Sequence, residues 1–110
     1  MGTVKGTKVD FIPDQEDAER LPDGYRIRKD LKPGTFAFLD NQNGERAAIE
    51  YVCPCGCGAL GALTIRKEGG DSPSWLWCGN EEDPTLTPSI LRTAGCKWHG
   101  YLTRGCFIDC

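Results

Sequence analysis

The chain is short of nearly everything that marks the commoner function classes. No apolar run approaches the roughly 20 residues that a membrane-spanning helix needs, and the N-terminus, Met-Gly-Thr-Val-Lys-Gly-Thr-Lys, lacks the apolar middle of a signal peptide. A cytoplasmic protein with no membrane association is therefore expected. Basic charge is scarce: 13 lysines and arginines against 16 acids give a formal net charge of −3. That disfavours a general nucleic-acid binder, which must neutralise phosphates, and leaves only a small local patch of Arg92, Lys97 and Arg104. Histidine occurs once, at His99. There is no internal repeat and no low-complexity tail. With 14 glycines and 7 prolines, long helices are disfavoured and short strands joined by turns are expected.

At 110 residues the chain fits one domain of a size that gains from a staple. The seven cysteines supply candidates. In a reducing compartment they point to metal before disulfides, and their odd number forbids full pairing.

The patterning predicts a mainly β domain over residues 35–110, preceded by an N-terminal extension over 1–34 that forms one compact unit with it. Residues 1–12 alternate loosely and predict an edge strand. Asp14 to Leu21, after Pro13 and before Pro22, predicts at most one or two helical turns. Tyr25, Ile27 and Leu31 are the expected inward contacts of the next segment. Thr35–Asp40 alternates as a strand, Asn41-Gln-Asn-Gly44 is a hairpin turn, and Arg46–Val52 returns to Cys53. Further strands are expected at Ala59–Arg66, Ser74–Cys78 and Leu86–Leu91, the last interrupted by Pro88. A final hairpin turns at Arg104-Gly105.

Two turns carry the metal chemistry. Cys53-Pro-Cys-Gly-Cys-Gly58 places three thiols within five residues, between glycines that allow the backbone to curl. Cys96-Lys-Trp-His99 repeats the logic. Two ligands from each turn complete the tetrahedron that zinc prefers. Five candidates, Cys53, Cys55, Cys57, Cys96 and His99, compete for four places. Spacing favours Cys55, Cys57, Cys96 and His99, with Cys53 a spare thiol, a supporting group or an alternative ligand. Cys78 and Cys106 are expected to be buried in strands and Cys110 to be frayed.

The run Cys53-Pro-Cys-Gly-Cys-Gly58, then Leu86-Thr-Pro-Ser-Ile90, then Cys96-x-x-His99 with Gly105 after it, resembles a family of small bacterial and phage proteins. That resemblance implies a metal site and a link to bacterial ubiquitin-like conjugation systems, without implying a reaction. Cys55-Gly-Cys57 and Cys96-Lys-Trp-His99-Gly are also similar to the two cluster loops of Rieske ferredoxins. This second resemblance implies a small antiparallel Rieske-like or zinc-ribbon-like architecture. Cys57 stands where those loops carry histidine, so the set suits zinc better than an iron–sulfur cluster.

A set of four or five protein ligands predicts a closed, structural metal site. Glu50 is expected to be a solvated strand residue. Ser89 is expected to be inert, because the metal claims the one histidine that would activate it. The resulting expectation is a zinc-stabilised module that binds another protein. The alternatives are a Rieske-like electron-transfer or catalytic metalloprotein with an iron–sulfur cluster, and a zinc-ribbon nucleic-acid binder. Trp98 is expected to pack in the core beside the metal, or else to be an exposed binding anchor.

Overall fold

In a computed structural model of the chain, the residues described are 2–12, 26–28, 30–65, 74–91 and 97–109. The expected helix at Asp14–Leu21, together with Tyr25, the turn at Glu68–Pro73, Arg92, Cys96 and Cys110, lies outside them. The described residues form nine strands and no helix: β1 (Thr3–Lys5), β2 (Thr7–Lys8), β3 (Thr35–Asp40), β4 (Arg46–Val52), β5 (Leu60–Thr64), β6 (Leu76–Trp77), β7 (Leu86–Leu91), β8 (His99–Thr103) and β9 (Cys106–Asp109). The domain is mainly β, as its composition requires. None of the described residues forms a helix long and apolar enough to cross a membrane.

The strands make two sheets. One has five strands in the order β1-β9-β8-β7-β6, and the other has four in the order β2-β3-β4-β5. Every pairing between named strands is antiparallel except β2 with β3. Alternation along the strands sends Phe36, Phe38, Ile49, Tyr51 and Leu63 from one sheet to meet Leu86, Ile90, Leu102 and Phe107 from the other. Tyr51 and Phe107 stack across that interface with centroids 5.5 Å apart, and Trp98 meets Phe107 edge-on at 6.1 Å. Such pairs contribute about 0.5–1.5 kcal/mol each beyond the area they bury.

The outer face of the four-stranded sheet is also covered. Ala37, Val52 and Leu60 point there and pack under Ile12, with Val9 and Leu31 alongside. Glu50 shares this side and ion-pairs with Arg26. It is therefore not the solvated strand residue that its sequence neighbourhood predicts: its side chain is only 13% exposed. The partner lies 24 positions away, beyond the reach of any local pattern. Ile27 is half-buried, whereas Arg28 is buried and paired with Asp30 at 2.8 Å.

Residues 1–12 do not make one edge strand. The segment gives β1 to an edge of the five-stranded sheet and β2 to an edge of the four-stranded one. The corner between them is Gly6, whose N–H donates to the Gly105 carbonyl at 2.7 Å. A Cβ at Gly6 would lie 2.6 Å from that carbonyl oxygen and 2.9 Å from the Phe36 ring. Both neighbours are fixed, one by the backbone and one by the core. Gly6→Ala should therefore lower stability by about 1–3 kcal/mol, the usual cost of overpacking. Chemical denaturation of the two proteins side by side checks this, and an unchanged midpoint would show that the corner is not tight.

Candidate functional site

Two groups of chemically capable side chains stand out among the described residues. The first is the cysteine knuckle that follows β4. Gly56 and Gly58 adopt φ of 94° and 83°, which bends the backbone round its three thiols. Cys53 Sγ lies 3.3 Å from Cys55 Sγ, and all three sulfurs of Cys53, Cys55 and Cys57 fall within 4.8 Å of one another. Backbone amides reach two of them: Cys57 N–H donates to Cys55 Sγ at 3.4 Å, and Ala59 N–H to Cys57 Sγ at 3.5 Å.

Zinc–sulfur bonds of about 2.3 Å in a tetrahedron place sulfurs about 3.8 Å apart. The knuckle matches that scale, and none of its thiols is tied in a disulfide. Cys53, Cys55 and Cys57 can therefore hold one metal ion. Cys53 is fully buried and belongs to the group. The site residues expected from the sequence divide at this point. The three knuckle cysteines come together, Cys96 lies outside the described residues, and His99 is absent from the thiol group.

His99 instead faces Ser89. Its Nε2 lies 3.2 Å from Ser89 Oγ. His99 opens β8 and is exposed, while Trp98 and Gly100 on either side are buried. Ser89 reaches it because β7 is irregular. Leu86 pairs with Leu102 and Ile90 pairs with Gly100. Three residues, Thr87, Pro88 and Ser89, thus stand opposite Tyr101 alone. A bulge of this kind re-aims a side chain that strand alternation would send elsewhere. Pro88, which has no N–H to give to a ladder, sits where the ladder is broken. Beside the pair, Leu91 lies directly across from His99, and Tyr101 follows two residues along the same strand face. Both are largely exposed, at 59% and 45%.

The serine–histidine contact could not be read from the sequence, because the shared Cys-x-x-His spacing assigns the one histidine to the metal. The signal was nevertheless present: Pro88-Ser89 within a strand pattern marks a bulge, and bulges gather at active sites.

The comparison with protein families bears on this geometry directly. Residues 24–110 match the family described as "Bacterial ubiquitination-like system serine protease (BubE)". The chain belongs to the BubE family. No curated protein and no solved structure matches it significantly. The bacterial, ubiquitin-like setting implied by the first resemblance agrees with the BubE match, while the Rieske and zinc-ribbon resemblances draw no support from these comparisons.

Trp98 is buried against Phe107 in the core cluster that also contains Cys53, and its indole N–H donates to Asp109. It is a core residue and not an exposed anchor. Cys78 departs from expectation in the other direction. It follows β6, is exposed, and accepts the Thr85 N–H at 3.3 Å. Burial of its sulfur would push the thiol pKa up, but hydrogen bonds from the Asn80 and Thr85 backbones outweigh this and hold it below the ordinary thiol range. Cys106 is half-buried at the start of β9. Iodoacetamide at neutral pH should accordingly modify Cys78 before Cys106, since the thiolate is the reactive form. A peptide-resolved time course by mass spectrometry checks the order, and the reverse order would refute it.

Proposed function

We propose that this BubE-family chain is a serine peptidase of a bacterial ubiquitin-like conjugation system, with Ser89 as nucleophile and His99 as general base. The observation that carries this reading is the Ser89 Oγ–His99 Nε2 contact of 3.2 Å on an exposed sheet face. The family description supports the reaction class. The protein partner expected from the sequence then becomes a substrate, approaching across the face that carries Leu91 and Tyr101.

The chemistry requires His99 to be neutral, with its proton on Nδ1 and the Nε2 lone pair accepting the Ser89 hydroxyl. As Ser89 Oγ attacks the carbonyl carbon of the substrate, its proton passes to His99 Nε2. His99 then gives that proton to the leaving amine as the C–N bond breaks, leaving an ester on Ser89. Water attacks the ester and gives a proton to His99. The Ser89–carbonyl bond breaks, the carboxylic acid departs, and the proton returns to Ser89 Oγ.

Within this reading the knuckle is a staple. Cys53, Cys55 and Cys57 would hold zinc, with Cys96 as fourth ligand, and His99 is left to Ser89. Zinc held in this way supplies a structural cross-link, and the steps above use only Ser89, His99 and water.

An alkyl fluorophosphonate tests the nucleophile. An activated serine forms an Oγ–P bond, fluoride leaves from phosphorus, and His99 takes the hydroxyl proton. Mass spectrometry should locate the adduct on Ser89, and Ser89→Ala and His99→Ala should each slow the reaction roughly 10³-fold or more. Folded wild-type protein that takes no label, or takes it at another residue, would overturn the proposal.

The staple is tested separately. Elemental analysis should find one zinc per chain, and Cys53→Ser should lose it. Chelation should unfold the protein, because structural zinc contributes roughly 10 kcal/mol or more in small peptides and a small domain has little stability in reserve. Full thermal stability after the metal has been removed would rule out the structural role.

A further inference from the structure

The bulge that aims Ser89 creates a problem that the fold has to solve. Where β7 and β8 lose register, the ladder no longer holds the Ser89 peptide from that side. On the other side β6 pairs with β7 at Leu76↔Thr87 and Trp77↔Leu86, and the pairing goes no further along β7. The same register continued would set Trp75 and Ser74 opposite Pro88 and Ser89, but Pro88 cannot donate to a ladder. A backbone carbonyl left in this position needs a partner. The Ser89 carbonyl finds it in the Trp75 side chain, whose indole N–H donates to it at 3.1 Å.

The donor is itself held. The Trp75 backbone N–H donates to the Thr64 carbonyl at 2.8 Å, and Ile65 and Trp75 form an isolated parallel bridge. This fastens Trp75 to the end of β5, in the four-stranded sheet. Its ring is half-buried and packs against the shared core. A rigid group anchored on one sheet therefore grips the peptide that presents the nucleophile on the other.

Resting on the serine-peptidase reading, we propose that Trp75 is a positioning residue for catalysis: through its hydrogen bond to the Ser89 carbonyl it fixes the bulge and holds Ser89 Oγ on His99. Rotation of the Ser89 peptide would swing the hydroxyl away from Nε2. The indole bond blocks that rotation without touching substrate or reacting atoms. It should therefore act on the chemical step and not on binding.

Trp77 provides the control. It lies two residues further along the chain, in β6, is also half-buried against the core, and its indole N–H also donates to a backbone carbonyl, that of Asn80 at 3.0 Å. Its bond serves the turn after β6 and not the bulge. Trp75→Phe and Trp77→Phe thus remove equivalent donors and leave an aromatic ring in place. With the alkyl fluorophosphonate as probe, Trp75→Phe should lower the maximal phosphonylation rate roughly tenfold or more at little changed half-saturation, as misplacement of a reacting group does. Trp77→Phe should stay within about twofold of wild type. Thermal midpoints of the two variants should be similar.

A measurement on the unaltered protein covers the case in which Trp75→Phe does not fold. In nitrogen-labelled wild type, phosphonylation of Ser89 should shift the Trp75 indole N–H resonance and leave that of Trp77 in place. Equal slowing by the two variants, a wild-type rate for Trp75→Phe, or an indole resonance that does not respond would overturn the positioning role while Ser89 remained the labelled residue. Failure of the wild type to be labelled at Ser89 would instead remove the peptidase reading, and this inference with it.

Discussion

The aromatic contact between the two sheets governs most of what surrounds it. Tyr51 from β4 and Phe107 from β9 stack at 5.5 Å, Trp98 closes on Phe107 from just before β8, and Phe36 and Phe38 fill the remainder from β3. A chain of this length must bury large side chains efficiently to offset the entropy of ordering itself. Committing the inner face of each sheet to that task settles what the outer faces can do. The four-stranded sheet covers its outer face with Ile12 and its neighbours. The five-stranded sheet leaves part of its outer face open, and His99 and Ser89 lie there. Site and core are two sides of one sheet, so each inward anchor has an outward consequence. Trp98 and Gly100 face the core, and His99 between them faces solvent.

Gly100 shows how tight this coupling is. A Cβ there would meet the Ile108 carbonyl oxygen at 2.2 Å and the Trp98 ring at 2.5 Å. The backbone beside His99 is thus pressed against β9 on one side and against an indole on the other. Asp109 completes the arrangement: one carboxylate oxygen accepts the Trp98 indole N–H, and the other accepts the Gly2 N–H at 3.2 Å. Positive φ at Lys97, at 56°, is needed to bring the chain into β8 at this angle. Strain of this kind persists where the surroundings over-determine it.

Much of the fold was legible. The hairpin over Thr35–Val52 was readable because Asn41 and Gly44 carry their own turn chemistry: Asn41 Oδ1 accepts the N–H groups of Asn43 and Glu45, and Gly44 adopts φ of 79°. The Arg104-Gly105 turn was readable too, with both residues at positive φ as a two-residue hairpin demands. What could not be read depends on distant partners. Glu50 looks solvated until Arg26 is placed beside it. Residues 1–12 look like one strand in the sequence until Gly6 is seen turning under Gly105. For the candidate site, the knuckle was visible because its three thiols are neighbours in sequence. The serine–histidine pair was hidden because a register shift makes it, and local patterns carry no register.

The stapled module expected from the sequence and a serine–histidine catalyst draw on different parts of one molecule. Two of the thiols stand on the core side: Cys53 is inside the cluster that contains Trp98 and Ile90, and Cys57 packs against it, while Cys55 is exposed. Trp98 and Ile90 are the immediate neighbours in sequence of His99 and Ser89. A metal drawing the knuckle together would therefore stiffen the wall on which the pair is mounted while leaving the hydroxyl and the imidazole free. Catalysis between a serine and a histidine depends on holding their separation to a fraction of an ångström. A small two-sheet domain with a broken ladder at Ser89 is poorly placed to do so by strand pairing alone. Fixing the inner face with thiols, a stacked aromatic pair and anchored indoles is a physical answer to that difficulty. On this view, binding a partner and cutting it require the same exposed sheet face.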